Sequence, residues 1–234
     1  MKEPGTRNQY GAGFYLSKGA FIMRRVVAEA KQNGVTIGVH PGFNDLWGFG
    51  RRRIDTRPDD LESMVAYQIG ALQAMAAFSD VKVTHLKPHG ALNNMAAENS
   101  EYALAIGRAI KAVDSSIIYV ALAGSEMEKA GRKLGLRVAV EGFCDRQYDD
   151  DGNLTSRKIP GSVLKDAAVA TKQVIDMVVN NFITSRNGKK IPCKVHSLCV
   201  HGDEPTGVAT ARTVREALEK AGVKLVPLTE MTLD

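Results

Sequence analysis

The stretch VKVTHLKPHGALNN (81–94) joins an apolar, alternating run to a cluster of polar residues. Alternation of apolar with polar residues predicts a β-strand at 81–86. His85 lies near the end of that strand, and Lys87 and His89 come directly after it. The chain has only five histidines. Two of them this close together mark the strand end as a candidate functional position.

The rest of the chain also alternates between the periodicities of strands and helices. Strands are predicted at 35–39, 81–86, 117–123, 136–143, 197–201 and 223–228, and helices at 22–33, 56–75, 99–113, 125–134, 166–182 and 206–221. This alternation predicts parallel strands with helices outside them. An open doubly wound sheet and a (β/α) barrel both fit. No GxGxxG motif opens a helix, which argues against a dinucleotide-binding open sheet.

Composition narrows the possible classes of protein. The 234 residues contain no linker or internal repeat, which predicts a single domain over 1–234. The net charge of +5 is spread among acidic residues, so no nucleic-acid partner is expected. No apolar run approaches the roughly 18–20 residues of a membrane-spanning helix, so no membrane association is expected.

The three cysteines bear on the compartment. Cys144, Cys193 and Cys199 are odd in number and include no CxxC pair, which predicts reduced thiols. The first residues contain no apolar leader segment. Together these features predict a cytoplasmic protein.

Polar residues recur where the predicted strands end. They are His40, His85, Lys87, His89, Glu141, Asp145, His201 and Asp203. The carboxyl ends of parallel strands lie on one face, and (β/α) barrels build their active sites there. We therefore expect these side chains to converge on that face.

Each of these residues also has a structural interpretation. A single histidine beside a strand is commonly a hydrogen-bonded structural residue, and His85, which alternation places opposite Thr84, is the strongest such case. Glu141 would be costly to bury alone. It is either held in a structural ion pair or acts as an acid, a base or a substrate anchor. Asp203 could cap the following helix.

The stretch WGFGRRR (47–53) is a second candidate element. Its two glycines allow close approach of the backbone, and Arg51 and Arg52 could bind a carboxylate or phosphate bidentately. The alternative is a solvated basic turn, which is the favoured interpretation for Arg53.

Four stretches together resemble one family. VHPGFNDLWGFGRRR (39–53), HLKPHGAL (85–92), EGFCDRQYDDDGNL (141–154) and CVHGDEP (199–205) are similar, in the same order, to motifs of the LamB/YcsF family of 5-oxoprolinase A subunits, or lactam utilisation proteins. The similarity runs from about Met23 to Leu228. It implies an α/β fold, an irregular seven-stranded (β/α) barrel similar to glycoside hydrolase and deacetylase barrels.

The N-terminus departs from the family pattern. Family members open with a strand similar to DLNCDLGE and then carry a motif similar to ANxACGFHAGDP. Here AGFYLSKGAFIMRR (12–25) replaces that motif, and Tyr15 takes the place of its histidine. We therefore expect a divergent segment at 1–19, no first barrel strand, and no metal site of the deacetylase type.

The resemblance implies ATP-dependent opening of 5-oxoproline to L-glutamate, together with partner subunits B and C. Because the chain has no GxxxxGK[ST] motif, ATP is expected to bind with those partners. The catalytic residues carried over are Lys87, His89, Glu141 and His201, and the substrate-binding residues are His40, Arg51, Arg52, Asn94, Asp145, Arg146 and Asp203.

The chemistry suggests a role for each group. An arginine of GFGRR would bind the substrate carboxylate or a phosphate, and Lys87 would stabilise charge on the carbonyl oxygen. His89 or His201 would be the general base, oriented by Glu141 or Asp203. Two alternatives remain: a non-catalytic homologue that binds ligand or partner subunits, and a metal-dependent deacetylase or amidohydrolase that acts alone.

Overall fold

The structure, a computed structural model, describes residues 10–12, 19–201 and 207–233. The chain divides into two compact units. The first contains Met1–Ala121 and Glu126–Val138, and the second contains Leu122–Ser125 and Ala139–Leu233. Within the described residues, no helix is long and apolar enough to span a membrane. The single domain over 1–234 stays a prediction.

The first unit is built on parallel strands flanked by helices. Its strands are β1 (Tyr10–Ala12), β2 (Ile37–Val39), β3 (Val83–Leu86) and all of β4 (Ile118–Leu122) except its last residue, each paired in parallel with the next. Its helices are α1 (Gly19–Gln32), α2 (Pro58–Ala77), α3 (Gly90–Glu98), α4 (Ser100–Val113) and α5 (Glu126–Lys133). Every residue of β4 is buried, as a strand covered on both faces requires.

β1 is a strand that was not predicted from the sequence, whereas the absence of the first barrel strand stays a prediction. Tyr10 pairs with Ile37 and Ala12 with Val39 in parallel register. The sequence signal is weak, because three residues with a central glycine show no apolar alternation. The strand forms nonetheless because an edge of β2 presents backbone N–H and C=O groups that need partners.

Helix α3 was not predicted from the sequence. It begins at Gly90, directly after His89, and buries Leu92, Met95 and Ala96, which share one helical face. Asn99 ends it and also caps α4, because its side chain accepts the N–H groups of the first turn of α4. Only residues 87–89 separate the end of β3 from the first turn of α3.

Contact between β2 and β3 depends on a glycine opposite a histidine. Gly38 is the register partner of His85, and a Cβ on Gly38 would lie 2.1 Å from His85 Nε2. The His85 ring donates from Nδ1 to the Thr84 hydroxyl (2.9 Å), because that hydroxyl donates to the Ile37 carbonyl. Burial, and then the charge of Lys87, lower the pKa of His85 to about 4. His85 is therefore a neutral structural residue at neutral pH.

The second unit combines a parallel pair with a hairpin. Strand β5 (Val138–Phe143) belongs to this unit except for its first residue, Val138. It pairs in parallel with β8 (Ser197–Cys199). Strands β6 (Phe182–Thr184) and β7 (Lys190–Pro192) are antiparallel and are joined by a turn at 186–188. Helices α6 (Ala167–Val178) and α7 (Gly207–Lys220) pack together over a small apolar core.

The strand predicted at 223–228 is wrong. Residues 223–227 form no strand, and Leu228–Glu230 is a turn of 3-10 helix. Val223 packs against the apolar core of this unit, but Leu225 is 43% exposed, so the stretch presents no continuous buried face. Pro227 has no N–H to donate to a ladder. The five other predicted strands are confirmed, whereas a barrel of seven strands stays a prediction.

Replacing Gly38 with alanine is expected to destabilise the first unit, because the new methyl group would overlap the His85 ring. Overpacking of this kind lowers the free energy of unfolding by about 1–3 kcal/mol. The matched control is Gly70→Ala inside α2, where a Cβ would meet nothing within 4 Å and alanine favours the helix by about 0.5–1 kcal/mol. Urea unfolding measures both variants, and equal stabilities would contradict the packing of His85 on Gly38.

Candidate functional site

In the first unit, backbone hydrogen bonds hold the exits of β2 and β3 side by side. The N–H of Lys87 donates to the Val39 carbonyl (2.9 Å), and the N–H of His89 donates to the Pro41 carbonyl (2.8 Å). The rings of His40 and His89 consequently meet edge to face, with centroids 4.8 Å apart. The predicted neighbours at these two strand ends are therefore brought together.

The hydrogen bonds of this histidine pair determine where its protons lie. His40 Nδ1 is 2.7 Å from the Lys87 carbonyl oxygen, and His89 Nε2 is 2.7 Å from the Phe49 carbonyl oxygen. A carbonyl only accepts, so both of these nitrogens carry a proton. The inner nitrogens, His40 Nε2 and His89 Nδ1, are 3.1 Å apart. If both rings are neutral, two lone pairs face each other. Their contact is a hydrogen bond only when the pair holds one further proton, and with it one positive charge.

The basic loop after β2 is fastened by an aspartate that was not among the predicted site residues. Asp45 accepts from Arg52 Nε (3.0 and 3.1 Å) and from the N–H of Gly48 (2.9 Å). The hydrogen bond from Arg52 holds the pKa of Asp45 below its usual range. The guanidinium of Arg52 therefore stabilises the conformation of the loop through Asp45, whereas its role in substrate binding stays a prediction. The signal in the sequence is an Asp three residues before a Gly.

Glycines let this loop press against the start of α3. The Gly50 carbonyl accepts the N–H of Ala91 (2.9 Å), and a Cβ on Gly90 would lie 2.6 Å from that carbonyl oxygen. Gly50 and Gly90 both have positive φ, 65° and 56°. A Cβ on Gly48 would overlap Asp45. The predicted close approach of the backbone in WGFG is confirmed.

The remaining first-unit candidates differ in exposure. Lys87 is buried, at 7% exposed. Arg51 lies over the Phe49 ring, 5.3 Å from its centroid. Asn94 points to solvent from α3, whereas its neighbour Asn93 is buried and donates to it (3.4 Å). The buried amide side chain of this helix is therefore that of Asn93, which was not among the predicted site residues.

In the second unit, a carboxylate and an imidazole meet after β5 and β8. His201 Nδ1 lies 2.9 and 2.8 Å from the two carboxylate oxygens of Asp145, and the His201 N–H also points to that carboxylate (3.3 Å). Burial raises the pKa of Asp145, but hydrogen bonds and charge from His201 together outweigh burial and lower it. Asp145 is therefore ionised and accepts the Nδ1 proton. In the neutral ring of His201, Nε2 is therefore the nitrogen that carries the lone pair.

Two further ionisable side chains are buried in this unit. Glu141 lies in β5 and is 2% exposed. Arg146 is 4% exposed, and its Nη2 donates to the Thr155 carbonyl. Burial, and then repulsion from Arg157, lower the pKa of Arg146 to about 10, so it remains a cation at neutral pH. Among the described residues its Nε has no hydrogen-bond partner.

A glutamine that the sequence did not single out supports the β5 exit. Gln173 Nε2, from α6, lies 2.8 Å from the Phe143 carbonyl, 3.3 Å from the Cys144 carbonyl and 2.9 Å from the Arg146 carbonyl. These contacts hold the backbone on both sides of Asp145. The only signal in the sequence is an amide on an otherwise apolar helix.

The structure leaves several predictions about the site open. Asp203 lies outside the described residues. The histidine pair belongs to the first unit and the Asp145–His201 pair to the second, and convergence on one face stays a prediction. In the part of the chain that the structure describes, no three His, Cys, Asp or Glu side chains are grouped to hold a metal ion. None of the three cysteines, all of them described, forms a disulfide.

Parallel strands alternating with helices, with acid–base side chains directly after the strands, define an α/β protein with an enzyme-like site. The chain belongs to the LamB/YcsF family, whose model matches residues 17–233. This confirms the resemblance carried by the four motifs.

Individual relatives agree with this assignment. The 5-oxoprolinase A subunit of Rhodopseudomonas palustris strain BisB18 is 50% identical over 228 residues, 97% of this chain and 89% of the relative. A 5-oxoprolinase A subunit of Bradyrhizobium diazoefficiens, the one numbered 2, is 49% identical over 207 residues, 88% of this chain and 81% of the relative. The crystal structure of the lactam utilization protein from Thermus thermophilus has a TM-score of 0.81 at 40% identity, covering 88% of this chain and 82% of that one. The α/β fold class is confirmed.

The hydrogen bonds predict the tautomers of three site histidines, which long-range 1H–15N NMR of histidine-labelled protein can read. Neutral His40 and His201 are expected to carry the proton on Nδ1, and neutral His89 on Nε2, because those nitrogens face acceptors. Single His→Gln variants assign the signals. His40 protonated on Nε2 alone, or His89 on Nδ1 alone, would contradict the geometry of the pair.

Proposed function

We propose that this chain is the A component of a multi-subunit 5-oxoprolinase, which cleaves 5-oxoproline to L-glutamate with ATP. Two lines of support meet here. Relatives at about half identity are named as 5-oxoprolinase A subunits. The observation that carries the chemistry is the imidazole of His201, held through Nδ1 by the Asp145 carboxylate.

His201 is the proposed general base. Its Nε2 would take a proton from water as the water oxygen attacks the lactam carbonyl carbon. Asp145 would orient the ring and stabilise the imidazolium that forms, as a carboxylate behind a catalytic histidine does. The same proton would then pass to the lactam nitrogen as the C–N bond breaks. The products are the carboxylate and amine of glutamate.

Arg146 is the proposed anchor for the carboxylate of 5-oxoproline. Its guanidinium is buried and charged, and the Thr155 carbonyl occupies only Nη2. An Nε donor without a partner among the described residues favours a ligand with acceptor oxygens, because leaving a buried donor unsatisfied is costly. Arginine binds carboxylates through two donors at once.

Lys87 of the first unit is a candidate for stabilising negative charge that develops on the carbonyl oxygen, and this role stays a prediction. ATP, where bound, would transfer a phosphoryl group to the amide oxygen and make the carbonyl carbon more electrophilic. Breaking of the C–N bond would then leave an acyl phosphate, which a second water would hydrolyse to the glutamate carboxylate and inorganic phosphate. The chain has no GxxxxGK[ST] motif, so we assign the nucleotide to the partner subunits.

Replacing His201 with glutamine is expected to lower glutamate release at least about 100-fold, because glutamine removes the base. Its amide can still donate to Asp145, so the melting temperature should change little. Release is measured from 5-oxoproline and ATP with the B and C subunits of a relative, and the relative's own A component serves as a positive control.

His196→Gln is the matched control, since His196 accepts the Val140 N–H through Nδ1 and has no assigned catalytic role. Near-normal release by His201→Gln would remove His201 from the mechanism. No release by the wild-type chain beside a working control would favour the non-catalytic alternative.

Replacing Arg146 with glutamine is expected to abolish the preference for a carboxylate ligand. Calorimetry compares 5-oxoproline with its neutral carboxamide, and the wild-type chain should prefer the acid by at least about ten-fold, because charge-assisted hydrogen bonds are the stronger ones. Arg146→Lys, which keeps the charge and loses the planar fork, should be intermediate. An undiminished preference in Arg146→Gln would transfer the role to another cation, such as Arg51.

A further inference from the structure

The loop at 45–50, named here the Trp47 loop, exposes three large apolar side chains in succession. Trp47 is 95% exposed, Phe49 50% and Leu46 45%. Single exposed apolar residues are ordinary on protein surfaces, but a cluster that includes a tryptophan is typical of a binding surface. Tryptophan is also among the residues most enriched at the energetic centres of protein interfaces.

The Trp47 loop is held in one conformation before anything binds it. Asp45 accepts from Gly48 inside the loop and from Arg52 just after it, and the Gly50 N–H donates to the Asp45 carbonyl (3.0 Å). At its other end the Phe49 and Gly50 carbonyls are fixed by His89 and Ala91. A preorganised loop loses little conformational entropy on binding. Such bracing suits a recognition element better than an unstructured turn.

The charge around this loop indicates the kind of surface that it fits. Residues 45–53 contain three arginines, 51 to 53, and one acid, Asp45, and Glu98 of α3 lies 3.6 Å from Arg53, so the patch has a net charge of +1. Arg51 stacks over the Phe49 ring, so the cation and the apolar cluster form one patch. An apolar centre with a basic border is complementary to an apolar pocket with an acidic border.

We propose that the Trp47 loop is the docking surface for a partner subunit, which accepts Trp47 in an apolar pocket bordered by acidic residues. The existence of that partner rests on the proposed function, and it is supported by the naming of the relatives as subunits. The Phe49 carbonyl also holds His89 Nε2 (2.7 Å). Docking therefore bears directly on the backbone that orients the histidine pair.

The chain offers a clean probe, because Trp47 is its only tryptophan. Incorporation of 5-fluorotryptophan gives one 19F resonance, which is followed as unlabelled B and C subunits of the Rhodopseudomonas palustris relative are added without substrate. A change in the shift or width of that resonance is expected at saturation. Affinity is then measured by calorimetry for the wild-type chain and two variants.

The matched pair is Trp47→Ala and Phe78→Ala. Phe78 is also an exposed aromatic residue of the first unit, 63% exposed, and carries an arginine, Arg24, 4.3 Å from its ring centroid. Trp47→Ala should weaken binding at least about ten-fold, as removal of an interface hot spot does. Phe78→Ala should bind as the wild-type chain does.

Other outcomes would overturn the proposal. Unchanged affinity in Trp47→Ala would indicate a different interface, and equal losses in both variants would indicate a general surface effect. A raised KM for 5-oxoproline with unchanged subunit affinity would indicate a substrate lid. A 19F change produced by the labelled chain alone at high concentration would indicate self-association. No binding by the wild-type chain beside a relative's A component that binds would also overturn it. Because docking is measured without turnover, a complex that forms but releases no glutamate would uphold the docking surface and count against the proposed function alone.

Discussion

The orientation of the histidine pair by two backbone carbonyls is the constraint on which the first unit's site depends. The Lys87 and Phe49 carbonyls accept one ring proton each, so the opposite nitrogens of His40 and His89 must face each other. This arrangement requires the β2 and β3 exits to lie in register. It also requires the Trp47 loop to lie against α3. The glycines at 48, 50 and 90 are the positions where the chain allows that approach.

The second unit orients its histidine differently. A carboxylate, rather than a carbonyl, receives the His201 proton, and the hydrogen bonds and charge of His201 keep Asp145 ionised in spite of its burial. A carboxylate stabilises an imidazolium far better than a neutral carbonyl does. The two units thus place imidazoles in two chemical settings. One suits a proton held between two rings, and the other suits a base that gains and returns a proton.

The pattern of residues predicted most of the framework, and its errors have physical causes. Apolar periodicity located β2 to β5, β8 and most helices, since burial on one or both faces leaves that signal. It misread 223–228, where Leu225 is largely exposed and Pro227 has no N–H for a ladder, and it missed β1, whose three residues show no apolar alternation. α3 was not recognised because the polar residues of KPHGALNN (87–94), which include its first turn, conceal the apolar periodicity of the helix.

The sequence by itself determined which residues can exchange protons, and that they follow strand ends, because residue type and strand periodicity are local properties. Only the tertiary structure decided which nitrogen of each ring carries a proton. The partners of His40, His89 and His201 lie 47, 40 and 56 residues away along the chain. Only chain packing brings such partners within hydrogen-bond distance. The supporting roles of Asp45, Asn93 and Gln173 were likewise invisible in the sequence, because they act on backbone and side chains that folding alone places beside them.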